Sequence, residues 1–455
     1  MTLDDAYGNK YEIGGFGKVE WGRAAQAPKL VPDDLSTYKN DNRNALTSVP
    51  VAQTSRGAKK SQLSMQQLTL GVSRETDSAV ALEAKMTYRW RADGVTDFFK
   101  APDVDYKSGP GFGGADFTEK WLGIGRPDLG SLKLGTQLSR SWARSDSFSY
   151  PVGMSSQWAN SGAGFGILPE SLRLTSPMFE DGTGKISAEI TLARNGLNTQ
   201  NVDPALVALG SSPTKPDLKE LFLQYSNDKN LVELVVQSTA GAKQTAFGKS
   251  ALIGWIGDPD NLSPTNPLPR KALKPSQSVV ILQGNQWPNP QNMMTWGVRR
   301  SQWSGSAVTC NYDKNLVVGP KTGNCVYDVD PGFNYGPESA NYRGYRASSW
   351  DAMLGWSHYQ GVYTYTISGV YFGPSNSDNP IEWGQSNSAV SLSLGLARKV
   401  PEVHKGLTVT AGLTFAQFKK LGPAPLSMPN NSFLGINSLY DKSGQSISMG
   451  ATWVY

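Results

Sequence analysis

The chain is short of the residues on which most protein chemistry relies. Its 455 residues include two histidines and two cysteines. A histidine-dependent active site or a Cys/His metal centre therefore has little to draw on. Charge is scarce at 18%, and so are hydrophobic residues at 38%, against about 25% and about 45–50% in an ordinary soluble domain. That shortage excludes a helical bundle with a conventional greasy core. Long apolar runs are also missing: no stretch approaches the roughly 18 consecutive residues of a membrane-spanning helix. A strand that crosses a membrane alternates and escapes such a search. Disorder is excluded as well, because aromatic residues make up 10% and the net charge is only +5.

What the chain does contain is glycine (48), tyrosine (18) and tryptophan (13), set in stretches that alternate with a period of two. Ile447, Met449, Ala451, Trp453 and Tyr455 fall on one face of the C-terminal stretch, with Ser446, Ser448, Gly450 and Thr452 on the other. Tyr363, Tyr365, Ile367 and Tyr371 oppose Thr364, Thr366 and Ser368. Val390, Leu392, Leu394 and Leu396 oppose Ser391, Ser393 and Gly395. Period-two alternation marks a strand with two unlike surroundings. Each run is about ten residues, the length a tilted strand needs to cross a bilayer.

The connectors alternate between short and long. Tight turns are expected at 75–78, 127–130, 180–184, 227–230, 302–305, 358–361 and 400–405. Between them lie Gly/Pro/Asn/Ser-rich stretches at about 24–61, 94–116, 143–168, 196–215, 241–291, 313–347, 374–387 and 421–443. Seven turns and eight loops join 16 strands. Further strand-like pieces at Ala251–Ile256 and Ser278–Leu282 leave 18 open. Short turns at one rim and long loops at the other describe a single all-β domain over 1–455, a transmembrane antiparallel up-and-down β-barrel. A soluble sandwich or propeller also alternates, but no 40-residue repeat is visible. Trp21, Tyr88, Trp90, Trp121, Trp453 and Tyr455 lie near strand ends on the apolar face, as an aromatic girdle would.

If the apolar face meets lipid, the opposite face lines a lumen. That places Glu83, Lys85, Thr87, Arg89 and Arg91 of the third strand inside, with Lys18 of the first, Arg173 of the sixth, and Arg140 where the fifth ends. Lys18, Lys85, Arg89 and Arg173 are expected to form a basic wall that concentrates anions in the low-dielectric shell. Cys310 and Cys325 flank a polar, Gly/Asn-rich stretch next to the loop at about 313–347, and a disulfide is their simplest reading, which implies an oxidising compartment. The residues Met1–Asp5 carry neither a basic nor an apolar leader region, so either the protein is cytosolic or its signal lies outside this numbering. No metal or cofactor is expected; Asp328 and Asp330 in Asp-Val-Asp-Pro-Gly read as a turn. Basic residues are scattered over all strands, which argues against nucleic acid as a partner.

Several segments resemble a known family. The hairpin Trp121 to Gln137, WLGIGRPDLGSLKLGTQ, resembles the YVGL-x-G-x-FG-x-L-x-LGRQ hairpin of Gram-negative general porins, in particular the betaproteobacterial type. Glu170 to Phe179, ESLRLTSPMF, is similar to that family's NSVRYxSPxF strand, and Gly14 to Lys18 looks like its opening strand. The aromatic C-terminus matches the family's assembly signal. The resemblance implies a homotrimer of 16-stranded barrels in the outer membrane, in contact with lipid and lipopolysaccharide. It also implies that the third loop, about 143–168, folds into the lumen as the constriction. There the chain departs from the family: Asp146 is the loop's one acid, Thr136 stands where the family has Arg, and Tyr150, Trp158, Phe148 and Phe165 make the loop aromatic.

The function expected is passive diffusion of small hydrophilic solutes with a preference for anions. The alternative is a channel specific for a sugar or an aromatic or organic acid, with Tyr150, Trp158 and Phe148 as rails. An enzyme barrel is disfavoured, since His358 and His404 both fall at the short-turn rim.

Overall fold

A computed structural model describes residues 2–5, 8–25, 60–93, 114–143, 158, 162, 164, 167–180, 182–194, 217–240, 276–306, 345–374, 376–377, 387–421, 425, 427–428 and 441–455. Sixteen strands form the wall: β1 Asn9–Ala24, β2 Lys60–Glu75, β3 Ala81–Asp93, β4 Gly114–Arg126, β5 Gly130–Leu138, β6 Ile167–Thr175, β7 Lys185–Arg194 and β8 Asp217–Ser226. They continue as β9 Asn230–Ala240, β10 Ser276–Asn289, β11 Asn292–Ser306, β12 Tyr345–Gln360, β13 Tyr363–Phe372, β14 Ala389–Lys399, β15 Leu407–Phe418 and β16 Ser443–Val454. Each pairs antiparallel with its sequence neighbours. The last pairs with the first, from Ser446↔Ala24 to Val454↔Phe16, so the sheet closes. Closure leaves the wall without an open strand edge, which a lipid environment requires. Three short extra pieces, Thr2–Asp4, Phe179–Glu180 and Asn376–Ser377, and the helical turn Arg140–Ala143 complete the described elements.

The seam is tightly built. The backbone N–H of Gly15 donates to the carbonyl of Tyr455 and the Gly15 carbonyl accepts the Tyr455 N–H in return, and the Tyr455 hydroxyl donates to the Gln67 carbonyl at 2.8 Å. Gly17 lies under the Trp453 ring, where an added Cβ would fall 2.0 Å from ring atoms. The terminal aromatics thus depend on glycines in the opposing strand.

The alternation expected from the sequence holds through the wall. Leu122, Leu354, Trp350 and Leu394 are exposed on the outside, whereas Ser391, Ser393, Thr366 and Thr414 are buried on the inside. In water such an outer belt would be a liability, but against acyl chains it is the seating surface. Two expectations need correction. The fifth tight turn lies at Pro290–Gln291 and not at 302–305, which belongs to β11. The wall count is still 16, because Ser278–Leu282 falls inside β10; Ala251–Ile256 lies outside the described residues. Trp121 does not join the outer girdle. It shares the inward parity of Glu119, and the Lys133 ammonium sits 4.0 Å from its ring centroid.

At the short-turn rim the β4–β5 turn is closed by a Leu129 N–H to Arg126 carbonyl bond. Gly130 follows at φ +88°, where a Cβ would strike the Thr175 carbonyl. Arg126 donates two hydrogen bonds to Asp128, and these hold the Asp128 carboxyl below the usual carboxylate range.

Candidate functional site in the lumen

The lumen has two unlike halves. From β8 to β15 the inward face is sealed. Val235, Val279, Ile281, Met353, Val370, Phe372 and Phe418 all point inward on parity, yet none is more than 4% exposed. Among the described residues, Trp158 and Ser427 reach this half through Gln283, Arg299 and Asp351. On β3, β4 and β5 four inward side chains reach water: Glu83 is 39% exposed, Lys85 32%, Lys133 26% and Glu119 18%, whereas Thr87 and Gln137 on β3 and β5 are buried.

The third loop is pinned to the sealed half at its root and near its tip. At the root, Glu220 of β8 accepts the backbone N–H groups of Arg140 at 3.0 Å and 3.1 Å and of Ser141 at 3.4 Å. Gln237 donates to the same carboxylate at 2.8 Å. The Arg140 guanidinium grips Glu189 of β7 through two bonds at 2.5 Å and 2.6 Å and lies 5.2 Å over the Phe222 ring. Arg173 of β6 stands beside them, donating to Thr191 at 2.8 Å and to the Leu138 carbonyl at 2.7 Å. It lies 3.6 Å from Glu220 and 3.7 Å from Glu189. Two guanidiniums and two carboxylates thus share one buried cluster.

Near the tip, Trp158 is fully buried. Its Nε1–H donates to Gln283 of β10 at 3.1 Å, and Gln283 donates in turn to Glu233 of β9 at 3.2 Å. Arg299 of β11 donates to the Trp158 carbonyl at 3.0 Å and stacks 4.3 Å from its ring. The same guanidinium binds Asp351 of β12 at 3.0 Å and 2.9 Å. Gly162, at φ +81°, lies so close to Arg299 that a Cβ would come within 2.8 Å of its Nε. These contacts set Trp158 and Gly162, described residues of the third loop, against the inward face of β10 to β12.

The basic wall expected from the sequence is redistributed. Lys18 is buried against Glu20 at 2.8 Å. Arg173 is buried and spent on Glu189 and Glu220, and Arg140 is a loop anchor. Lys18 and Arg173 are thus buried, whereas the Arg140 side chain is 26% exposed while it holds Glu189. Lys85 and Arg89 do stand on the accessible side, Lys85 at 3.3 Å from Glu119 and Arg89 hydrogen-bonded to Gln67 at 2.7 Å and 3.0 Å. Trp158 is a packing residue and not an aromatic rail. Asp146, Tyr150, Phe148, Cys310 and Cys325 lie outside the described residues. Among the described residues no group of three or more His, Cys, Asp or Glu could hold a metal ion.

Sequence reasoning missed Glu189, Glu220, Glu233, Gln283, Arg299 and Asp351. The signal was available in parity. Each sits at an inward position of a strand whose outward residues are mostly apolar, and a charge there must find a partner or water.

No protein-family model matches the chain, and no curated protein matches it in sequence. Solved structures do match its shape. The outer membrane protein OmpT of Vibrio cholerae, in its trimer form, superposes with a TM-score of 0.55 at 9% identity, over 98% of this chain and 99% of that one. The fold is that of the outer-membrane porins. The outer membrane channel DcaP of Acinetobacter baumannii matches with a TM-score of 0.55 at 9% identity, over 100% of this chain and 99% of that one. The anion-selective porin of Comamonas acidovorans matches with a TM-score of 0.53 at 10% identity, over 98% and 100%. Likeness at this identity is likeness of fold, so it does not carry the narrower betaproteobacterial assignment. These structures are outer-membrane barrels, in agreement with the location expected from the sequence.

Proposed function

We propose that this protein is an outer-membrane channel of a Gram-negative cell, through which small hydrophilic solutes diffuse passively with a mild preference for anions. The observation that supports this most is the contrast within the lumen. Glu83, Lys85, Glu119 and Lys133 on β3 to β5 reach water, whereas the inward apolar residues of β8 to β15 are buried. A narrowed aqueous path beside charged side chains screens by size and charge and needs no chemistry. The anion preference rests on Lys85, Arg89 and Lys133 along that path, and no longer on Arg173. We read the assembly as a homotrimer whose outer belt contacts lipid and lipopolysaccharide.

Liposome swelling tests the reading. Influx should rise linearly with solute concentration and fall steeply with solute size, with small carboxylates entering faster than neutral sugars of equal size. Influx that saturates with one sugar or organic acid would replace passive diffusion with a specific channel.

A further inference from the structure

The constriction draws on more than the third loop. The segment between β15 and β16 is the last long connection, and its Ser427 and Met428 are both fully buried. The Ser427 hydroxyl donates to Asp351 at 2.6 Å, and the Ser427 carbonyl accepts the N–H of Gly162 at 2.9 Å. Asp351 also accepts the backbone N–H of Gly373, at the start of the β13–β14 connection, at 3.2 Å. One carboxylate therefore holds Arg299, Ser427 and Gly373, and Arg299 holds Trp158. The third and last loops meet over a single ion pair whose side chains are no more than 1% exposed.

The geometry points to a two-loop constriction: the last loop, docked through Ser427 onto Asp351 and Gly162, sets the pore size together with the third loop, and the Arg299–Asp351 pair positions both. This rests on the channel reading above. A loop tip tied only to the wall could shift without affecting the third loop. Here the Gly162–Ser427 bond joins the two, so displacing the last loop removes one of the third loop's anchors and leaves those at Trp158. Gly162, at φ +81°, lies where an added Cβ would crowd Arg299 and Ser301, so the position beside the dock favours glycine.

Single-channel recording and solute exclusion test it, on the full chain and on two variants. Ser427→Ala removes the hydroxyl bond, and removal of residues 422–430 takes out the whole dock while leaving the Arg299–Asp351 pair. The expected result is a graded rise in conductance and a shift of the exclusion limit to larger solutes, with Ser427→Thr restoring the parent behaviour. Both variants should keep the folded barrel's anomalous migration in unheated gels, which separates pore size from assembly. Unchanged conductance and exclusion limit in the loop-deleted barrel would overturn the proposal. If the parent itself does not conduct, it is the channel reading that fails.

Discussion

Replacing Glu220 with alanine should destabilise the barrel more than any other single truncation in the lumen. The change leaves the N–H groups of Arg140 and Ser141 and the Gln237 amide without their acceptor. It also leaves Arg173 with a weaker share of Glu189. Removing one partner of a buried ion cluster costs about 3–5 kcal/mol, because the opposing charge stays buried and uncompensated. Glu220→Gln keeps an acceptor and should lose less. Thermal unfolding in detergent, read as the temperature at which the barrel loses its sheet signal, ranks the two. The assignment of Glu220 as the root anchor fails if Glu220→Ala melts with the parent.

Charge placed on the outer belt should be nearly as damaging. Leu394 faces outward between Ile367 and Leu413, which are also exposed and apolar. An arginine there meets acyl chains, at a cost of roughly 2–4 kcal/mol near the bilayer midplane. Ser448 has the opposite parity and lies between Gly412 and Gly22 on the inward face. Ser448→Arg should fold at close to parental stability and alter only conductance. Equilibrium unfolding in urea from lipid vesicles measures both. Equal losses at the two positions would mean that the two faces of the wall do not meet different solvents.

Much of this architecture was legible in the sequence because a barrel wall is written locally. Each residue's neighbours two positions away share its surroundings, so Ser391 and Ser393 against Leu392 and Leu394 suffice to orient β14. Short turns were legible where their residues were distinctive, as at Glu75 to Ser78. The β10–β11 turn was obscured by its context: Trp287-Pro-Asn-Pro290 continues the Pro/Asn character of the preceding loop, so the end of β10 read as loop. The constriction was less legible. The expectation that the third loop enters the lumen came from family resemblance, and no local pattern in that loop carries it. Its contacts join residues far apart in the chain, Trp158 with Gln283 and Arg299 with Asp351. Parity marks these side chains as inward but does not say which cation meets which carboxylate. For that reason Arg173 read as a free wall charge when it is a buried member of a cluster with Arg140, Glu189 and Glu220.

The most direct test of the central claim is recording in a planar bilayer under a tenfold KCl gradient. The structure predicts discrete conductance steps, with a reversal potential of anion-selective sign that Lys85→Glu moves toward zero. Absence of steps would contradict the proposed aqueous path, and a cation-selective reversal would contradict the role given to Lys85, Arg89 and Lys133.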